Sequence, residues 1–142
     1  MQMISVEFEK IEAVDDALLE YAVIVSRYNN KWVYCKHKDR ETWEIPGGHR
    51  EPQELITDTA KRELYEETGA ADYVISPVCV YCVNRGSKSY GLLCYADIKS
   101  LGALPASEID HINLFDSIPE SLTYPEIQPF LFDKINHWLK NK

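Results

Sequence analysis

A chain of 142 residues, 45% of them hydrophobic, with a formal net charge of −8, has the size of one folded unit and can bury about two-thirds of its unfolded surface. The acidic balance, with no lysine- or arginine-rich stripe, argues against binding to a nucleic acid polymer or an anionic membrane. With no apolar run near the length of a membrane span and no signal-like N-terminal order, a cytoplasmic protein with a single domain over residues 1–142 is expected.

In chain order, Leu19 to Tyr28 and Lys31 to Lys36 are β-branched and aromatic runs separated by Asn29-Asn30, which predicts a hairpin. Trp43-Glu44-Ile45-Pro46-Gly47-Gly48 reads as a short apolar segment ending in a loop that can adopt positive φ and leave N–H groups free for anionic oxygen. Thr57 to Thr68 is the next predicted element, a helix that turns Ala60 and Leu64 to the core and stops at Gly69. Glu54 falls in the loop before it. Val74 to Val83 and Tyr90 to Ile98 are two further predicted strands, joined by the polar turn Asn84 to Ser89. Asp110 to Phe115 is a short strand. Pro125 to Lys140 carries Ile127, Phe130, Leu131, Ile135, Trp138 and Leu139 at helical spacing and predicts a closing helix packed on the sheet. The four cysteines include Cys79-Val80-Tyr81-Cys82. This C-x-x-C lies within a β-rich run and lacks a second pair, so it reads as unpaired buried thiols and not as a zinc or redox site.

The passage that specifies chemistry begins at Gly48. Glu63, Glu66 and Glu67 stand at i, i+3 and i+4, within roughly 100° of arc on a helix. Three like charges on one stripe repel and raise one another's pKa unless a cation sits against them. Oxygen-only ligands point to Mg²⁺, with Mn²⁺ as the alternative, over Zn²⁺. Arg62 can hold one of these carboxylates in a single rotamer through its planar fork.

The spacing G-x5-E-x7-R-E-U-x-E-E-x-G-U, with U a bulky aliphatic, is met by Gly48, Glu54, Arg62, Glu63, Glu66, Glu67 and Gly69, and resembles the signature of the Nudix hydrolases. Ala70 departs from it by being smaller than the usual aliphatic. The resemblance implies an α/β fold, an α/β/α sandwich with a mixed β-sheet between helices. It also implies hydrolysis of a phosphoanhydride with Gly48, Glu54, Glu63, Glu66 and Glu67 around the metal. Glu66 and Glu67, or Glu108 from a later loop, would serve as base, with Arg62 as a positioning residue in the catalytic group. Trp43 to Gly48 is similar to the segment leading into the motif of MutT-type members, which split nucleoside triphosphates, including oxidised ones, to monophosphate and pyrophosphate. Arg40, Trp43, Tyr81 and Tyr124 are the candidates for contacting such a small nucleotide, with Gln128 or Glu126 as readers of a base edge. Lys36 and Lys38 read as solvated. ADP-ribose, nucleotide sugars, dinucleoside polyphosphates and capped or triphosphorylated RNA ends are the alternative substrates, the net acidity arguing against long RNA, and a nucleotide-sensing module without turnover is the alternative class.

Overall fold

The structure is a computed structural model and describes residues 3–142. Its strands are β1 (Ser5–Glu9), β2 (Leu19–Tyr28), β3 (Lys31–His37), β4 (Gly47–His49), β5 (Ala70–Asn84), β6 (Lys88–Leu101) and β7 (Ile109–Phe115); its helices are α1 (Ile56–Thr68) and α2 (Gln128–Lys140). Short 3-10 turns at Ile11–Ala13 and Asp16–Leu18 separate β1 from β2. The sheet runs in the order β1-β5-β6-β2-β3-β7, with β4 paired to β2. It is mixed, because β2 and β6 are parallel while the other paired strands are antiparallel.

Each face of the sheet buries one helix, as the apolar patterning requires. On one face Ile56, Ala60 and Leu64 of α1 pack with Ala22, Ile24, Val80 and Leu92. On the other, Leu131, Phe132 and Ile135 of α2 pack with Val25, Trp32, Tyr34 and Leu93. The β2–β3 turn places Asn29 at φ 53° and Asn30 at φ 62°, the left-handed pair that a two-residue hairpin turn needs.

The feature that builds the site is a divergence. β2 and β3 pair only at Arg27↔Trp32 and Tyr28↔Lys31, next to their turn. Beyond that point they separate, and the segment Glu44 to His49 fills the opening. Glu44 bridges Cys35 of β3, and β4 pairs its Gly47, Gly48 and His49 with Val23, Ala22 and Tyr21 of β2.

Several expectations are corrected. The diglycine is a strand and not a positive-φ loop; the glycines at positive φ are Gly69 and Gly86. Gly47 is glycine for lack of room, since a Cβ there would stand 2.5 Å from the Ala22 carbonyl oxygen. β5 and β6 run longer than expected at both ends, because their ladder absorbs Asp72 and Pro77 at register shifts. β1 was not anticipated: Ser5-Val6-Glu7-Phe8-Glu9 is short and carries two charges, which suit an exposed sheet edge. α2 begins at Gln128 and not Pro125, with Pro129 in its first turn. Phe130 on that helix is 52% exposed, and Phe132 takes the core position instead. All four cysteines are free and buried. Among the described residues no helix is long and apolar enough to cross a membrane.

Candidate active site

α1 presents its acids because Gly69, at φ 75°, ends the helix with its N–H on the Tyr65 carbonyl, while Leu64 and Thr68 anchor the opposite side in the core. Arg62 lies at the centre of the acids. Its guanidinium grips Glu54 with two bonds of 2.7 and 3.0 Å, donates to Glu63 at 2.7 Å and Glu66 at 3.3 Å, and reaches the His49 carbonyl at 2.9 Å. One cation therefore offsets three carboxylates that would otherwise repel. Glu54 also accepts from the Thr59 hydroxyl and the Glu51 N–H. These donors, the Arg62 fork first, hold its carboxyl down at about 2.

Glu63 rests against the backbone of Gly48: a Cβ on that glycine would fall 2.5–2.7 Å from the Glu63 carboxylate atoms. Glu67 lies deeper, its side chain 13% exposed. It accepts from the Gly47 N–H at 2.9 Å and the Cys35 thiol at 3.8 Å. Burial, aided by the charges of Glu63 and Glu44, pushes its carboxyl up to about 8 despite the Gly47 bond. Burial likewise raises Glu63 above the usual carboxylate range, against the pull of Arg62.

Glu63 and Glu67 form part of the floor of a half-open cleft of about 520 Å³. Its walls include His37 and Arg40 from the β3 end, Tyr81 and Arg85 from β5 and its turn, and Tyr124 and Gln128 from the approach to α2. Glu44 organises one wall. It is buried, pairs with Arg40 at 2.7 Å, accepts from Thr123 at 3.1 Å and stands 3.5 Å from His37. Arg40 in turn lies 5.9 Å over the Tyr124 ring. The other ring nitrogen of His37 is 3.9 Å from Glu108, whose side chain is 92% exposed at the rim. Gln128 accepts from the Ile45 N–H through its side-chain oxygen at 2.9 Å, which leaves its NH₂ group as the donor it can offer.

Arg40, Gly48, Glu63, Glu67, Tyr81, Glu108, Tyr124 and Gln128 thus meet at one cleft, whereas Trp43, Glu54, Arg62, Glu66 and Glu126 do not line it. Trp43 packs edge-on against His111 and Phe115 and lines a separate surface depression. Glu66 is 43% exposed and faces Arg62. Glu54 spends its oxygens on Arg62, Thr59 and the Glu51 N–H. Lys36 and Lys38 are also absent from the cleft lining, whereas Arg40 is in it. His37, Glu44, Tyr21, His49 and Arg85 line the cleft without having been singled out from the sequence. The one local signal for Glu44 was its place just ahead of the diglycine.

Among the described residues no three acid, His or Cys side chains are already arrayed as a metal-ligand shell; Arg62 engages Glu54, Glu63 and Glu66 instead. The residues nonetheless fit a hard divalent ion. The donors are all oxygen, Glu63 lies directly on the Gly48 backbone, and a cation would relieve the clustered, partly buried charge.

A helix that brings Glu63 and Glu67 to a cleft beneath a diglycine strand, with an internal arginine bracing its acids, defines the Nudix class of site. The chain belongs to the Nudix family: the NUDIX domain model matches residues 18–93. It is 33% identical over 106 residues to YtkD of Bacillus subtilis (strain 168), to which 8-oxo-dGTP diphosphatase activity is ascribed; the match covers 70% of this chain and 64% of YtkD. It is 53% identical over 37 residues to human nucleoside diphosphate-linked moiety X motif 6, 26% of this chain and 12% of that protein. The chain therefore spans less than two-thirds of these relatives. Among solved structures, a point variant of the B. subtilis pyrophosphohydrolase BsRppH superposes with a TM-score of 0.77 at 25% identity, covering 95% of this chain and 90% of that one. The NUDIX domain of Shewanella oneidensis NrtR complexed with ADP ribose gives 0.63 at 18% identity, covering 90% and 92%.

Proposed function

We propose that the chain is a divalent-cation-dependent pyrophosphohydrolase acting on a nucleoside-diphosphate-linked substrate. Its substrate, in this reading, is a nucleoside triphosphate, with an ordinary or oxidised base, split to monophosphate and pyrophosphate. One domain spanning residues 1–142 would carry the whole site. The observation that carries the reading is the meeting of Glu63, Glu67 and the Gly48 backbone at the floor of a cleft whose walls hold Arg40, Tyr81 and Tyr124. The activities named for YtkD and BsRppH support it.

Glu63, Glu67 and the Gly48 carbonyl would hold Mg²⁺, or Mn²⁺ in its place, which when bound neutralises phosphate charge and acidifies water. Arg62, anchored by Glu54, keeps Glu63 in reach and screens Glu66 from it. Glu108 lines the cleft and stands outside that ligand set, so we assign it the proton. The oxygen of water bonds to phosphorus, the bridging P–O bond breaks, the electron pair leaves with the departing phosphate, and the water proton passes to the Glu108 carboxylate. Arg40 and Tyr124 form a cationic and aromatic rim for the nucleotide. The Gln128 NH₂ group can donate to a carbonyl or ring nitrogen on a base edge.

The test compares Glu67→Gln and Glu108→Gln with the unaltered chain under Mg²⁺ and nucleoside triphosphate. Both should lose turnover by orders of magnitude, but only Glu67→Gln should also weaken Mg²⁺ binding. Full activity in Glu108→Gln would remove the proton assignment. Tight nucleotide binding with no metal-dependent turnover in the unaltered chain would make it a sensing module instead.

A further inference from the structure

A second groove, of about 420 Å³, lies between the end of β1, the irregular stretch of β5 at Val78 and Cys79, and the C-terminal half of α2. α2 therefore touches the active-site cleft with its first turns, through Gln128 and Leu131, and this groove with its last, through Lys134 and Trp138. The two sites share no lining residue.

The charge of the groove is opposite to that of the chain. Lys10, Lys134 and Lys142 line it beside His137, with Glu9 as the single acidic side chain, in a protein of net charge −8. Among the described residues the lysine ion pairs are Lys31 with Asp116 and Lys99 with Asp97, so the three groove lysines have no carboxylate partner. Two of them rest on aromatic faces instead: Lys134 Nζ is 5.2 Å from the Phe8 ring centre and Lys142 Nζ is 4.9 Å from that of Trp138. A cation–π contact at an exposed site is weak, and a phosphate oxygen is a stronger partner for an ammonium. An anion that draws these lysines off their rings would bare two aromatic faces beside itself.

We propose that this groove is a second, non-catalytic site for a nucleoside phosphate, with the phosphate met by Lys10, Lys134 and Lys142 and the base stacked on Trp138 or Phe8. The volume suits a small ligand. The pairing of ammonium groups with adjacent ring faces offers a partner to each half of a nucleotide. The proposal does not depend on the catalytic reading.

The test uses the full chain labelled with 5-fluorotryptophan, whose three tryptophans, Trp32, Trp43 and Trp138, give separate ¹⁹F resonances. ADP, inorganic phosphate and adenosine are titrated in turn, in EDTA and physiological salt. The expected result is a saturable shift of the Trp138 resonance with ADP below about 1 mM, weakened at least ~10-fold in Lys134→Ala/Lys142→Ala and unchanged in Tyr124→Ala, which alters the cleft rim alone. Phosphate and adenosine alone should each bind far more weakly. A Trp138 signal that does not move would overturn the proposal. So would a shift that survives the double lysine variant, one that weakens in Tyr124→Ala and so reports the cleft, or one that phosphate alone reproduces at equal affinity.

Discussion

Gly47 and Gly48 are neighbours in one short strand, yet adding a methyl group to each should do opposite things. Neither is at positive φ, so alanine is not excluded by backbone conformation and the outcome is decided by what the new Cβ meets. At Gly47 it meets backbone, 2.5 Å from the Ala22 carbonyl oxygen and 3.0 Å from the Val23 Cα. Those atoms belong to β2 in the middle of the sheet and cannot move alone. Gly47→Ala should cost about 1–3 kcal/mol as overpacking, which for a domain of this size lowers Tm by roughly 3–9 °C. At Gly48 the Cβ meets the carboxylate end of Glu63 at 2.5–2.7 Å. That side chain can swing aside, and to reach ordinary contact it must retreat by roughly 0.8 Å or more. The thermal cost should be small, but a misplacement near 1 Å at a reacting centre is worth about 10²-fold in rate. Thermal melting with steady-state kinetics and Mg²⁺ titration separates the two effects. Gly48→Ala should melt close to the unaltered chain while losing about 10²-fold in kcat and binding Mg²⁺ more weakly. A Gly48→Ala protein with normal kcat and metal affinity, or one as thermally damaged as Gly47→Ala, refutes the reasoning.

Three further outcomes are expected. Arg62→Met leaves Glu54, Glu63 and Glu66 without their shared cation; because these groups are only partly buried, the loss in EDTA should be about 2–3 kcal/mol, and added Mg²⁺ should restore part of it in a melting experiment, whereas an unchanged Tm contradicts the role given to Arg62. Burial pushes the thiols of Cys79 and Cys94 up to about 11 and about 12 from the usual value of 9.0, so the unfolded chain releases these protons first and stability, complete below about pH 8.5, should fall as pH rises through 11 to 12; urea titrations across that range should show a shallower fall in Cys94→Ala, and equal slopes count against the burial argument. Tyr124→Ala removes the ring under Arg40 and should raise KM about 3- to 10-fold with kcat held, whereas a fall in kcat alone would place Tyr124 in the chemistry.

What was legible in the sequence follows the range of the interactions involved. The acids of α1, their stop at Gly69 and the Asn29-Asn30 turn are specified by residues a few positions apart, and the structure places them as the spacing implies. The cleft walls are not local. His37, Glu44 and Arg85 meet only because β3 leaves β2 after two paired residues and the diglycine segment enters the gap, and no short window of sequence encodes that divergence. Trp43 shows how an extended segment misleads. Successive side chains point to opposite sides, so once Glu44 faces the cleft with Arg40 and His37, Trp43 must turn away, to His111 and Phe115. Whether the tryptophan or the glutamate takes the inner side depends on the partner strand. β1 was illegible for a related reason. An edge strand with alternate exposed charges buries too little to leave a hydrophobic pattern.

The central claim, metal-dependent opening of a phosphoanhydride at the α1 acids, is tested most directly by following orthophosphate and pyrophosphate release. The substrates are nucleoside triphosphates, oxidised purine triphosphates, ADP-ribose and dinucleoside polyphosphates, each with Mg²⁺ and with EDTA, for the unaltered chain and Glu67→Gln. Pyrophosphate release from a triphosphate that requires Mg²⁺ and disappears in Glu67→Gln is the predicted result. Turnover that persists in EDTA or in Glu67→Gln, or no turnover of any of these substrates by a folded chain, would contradict it.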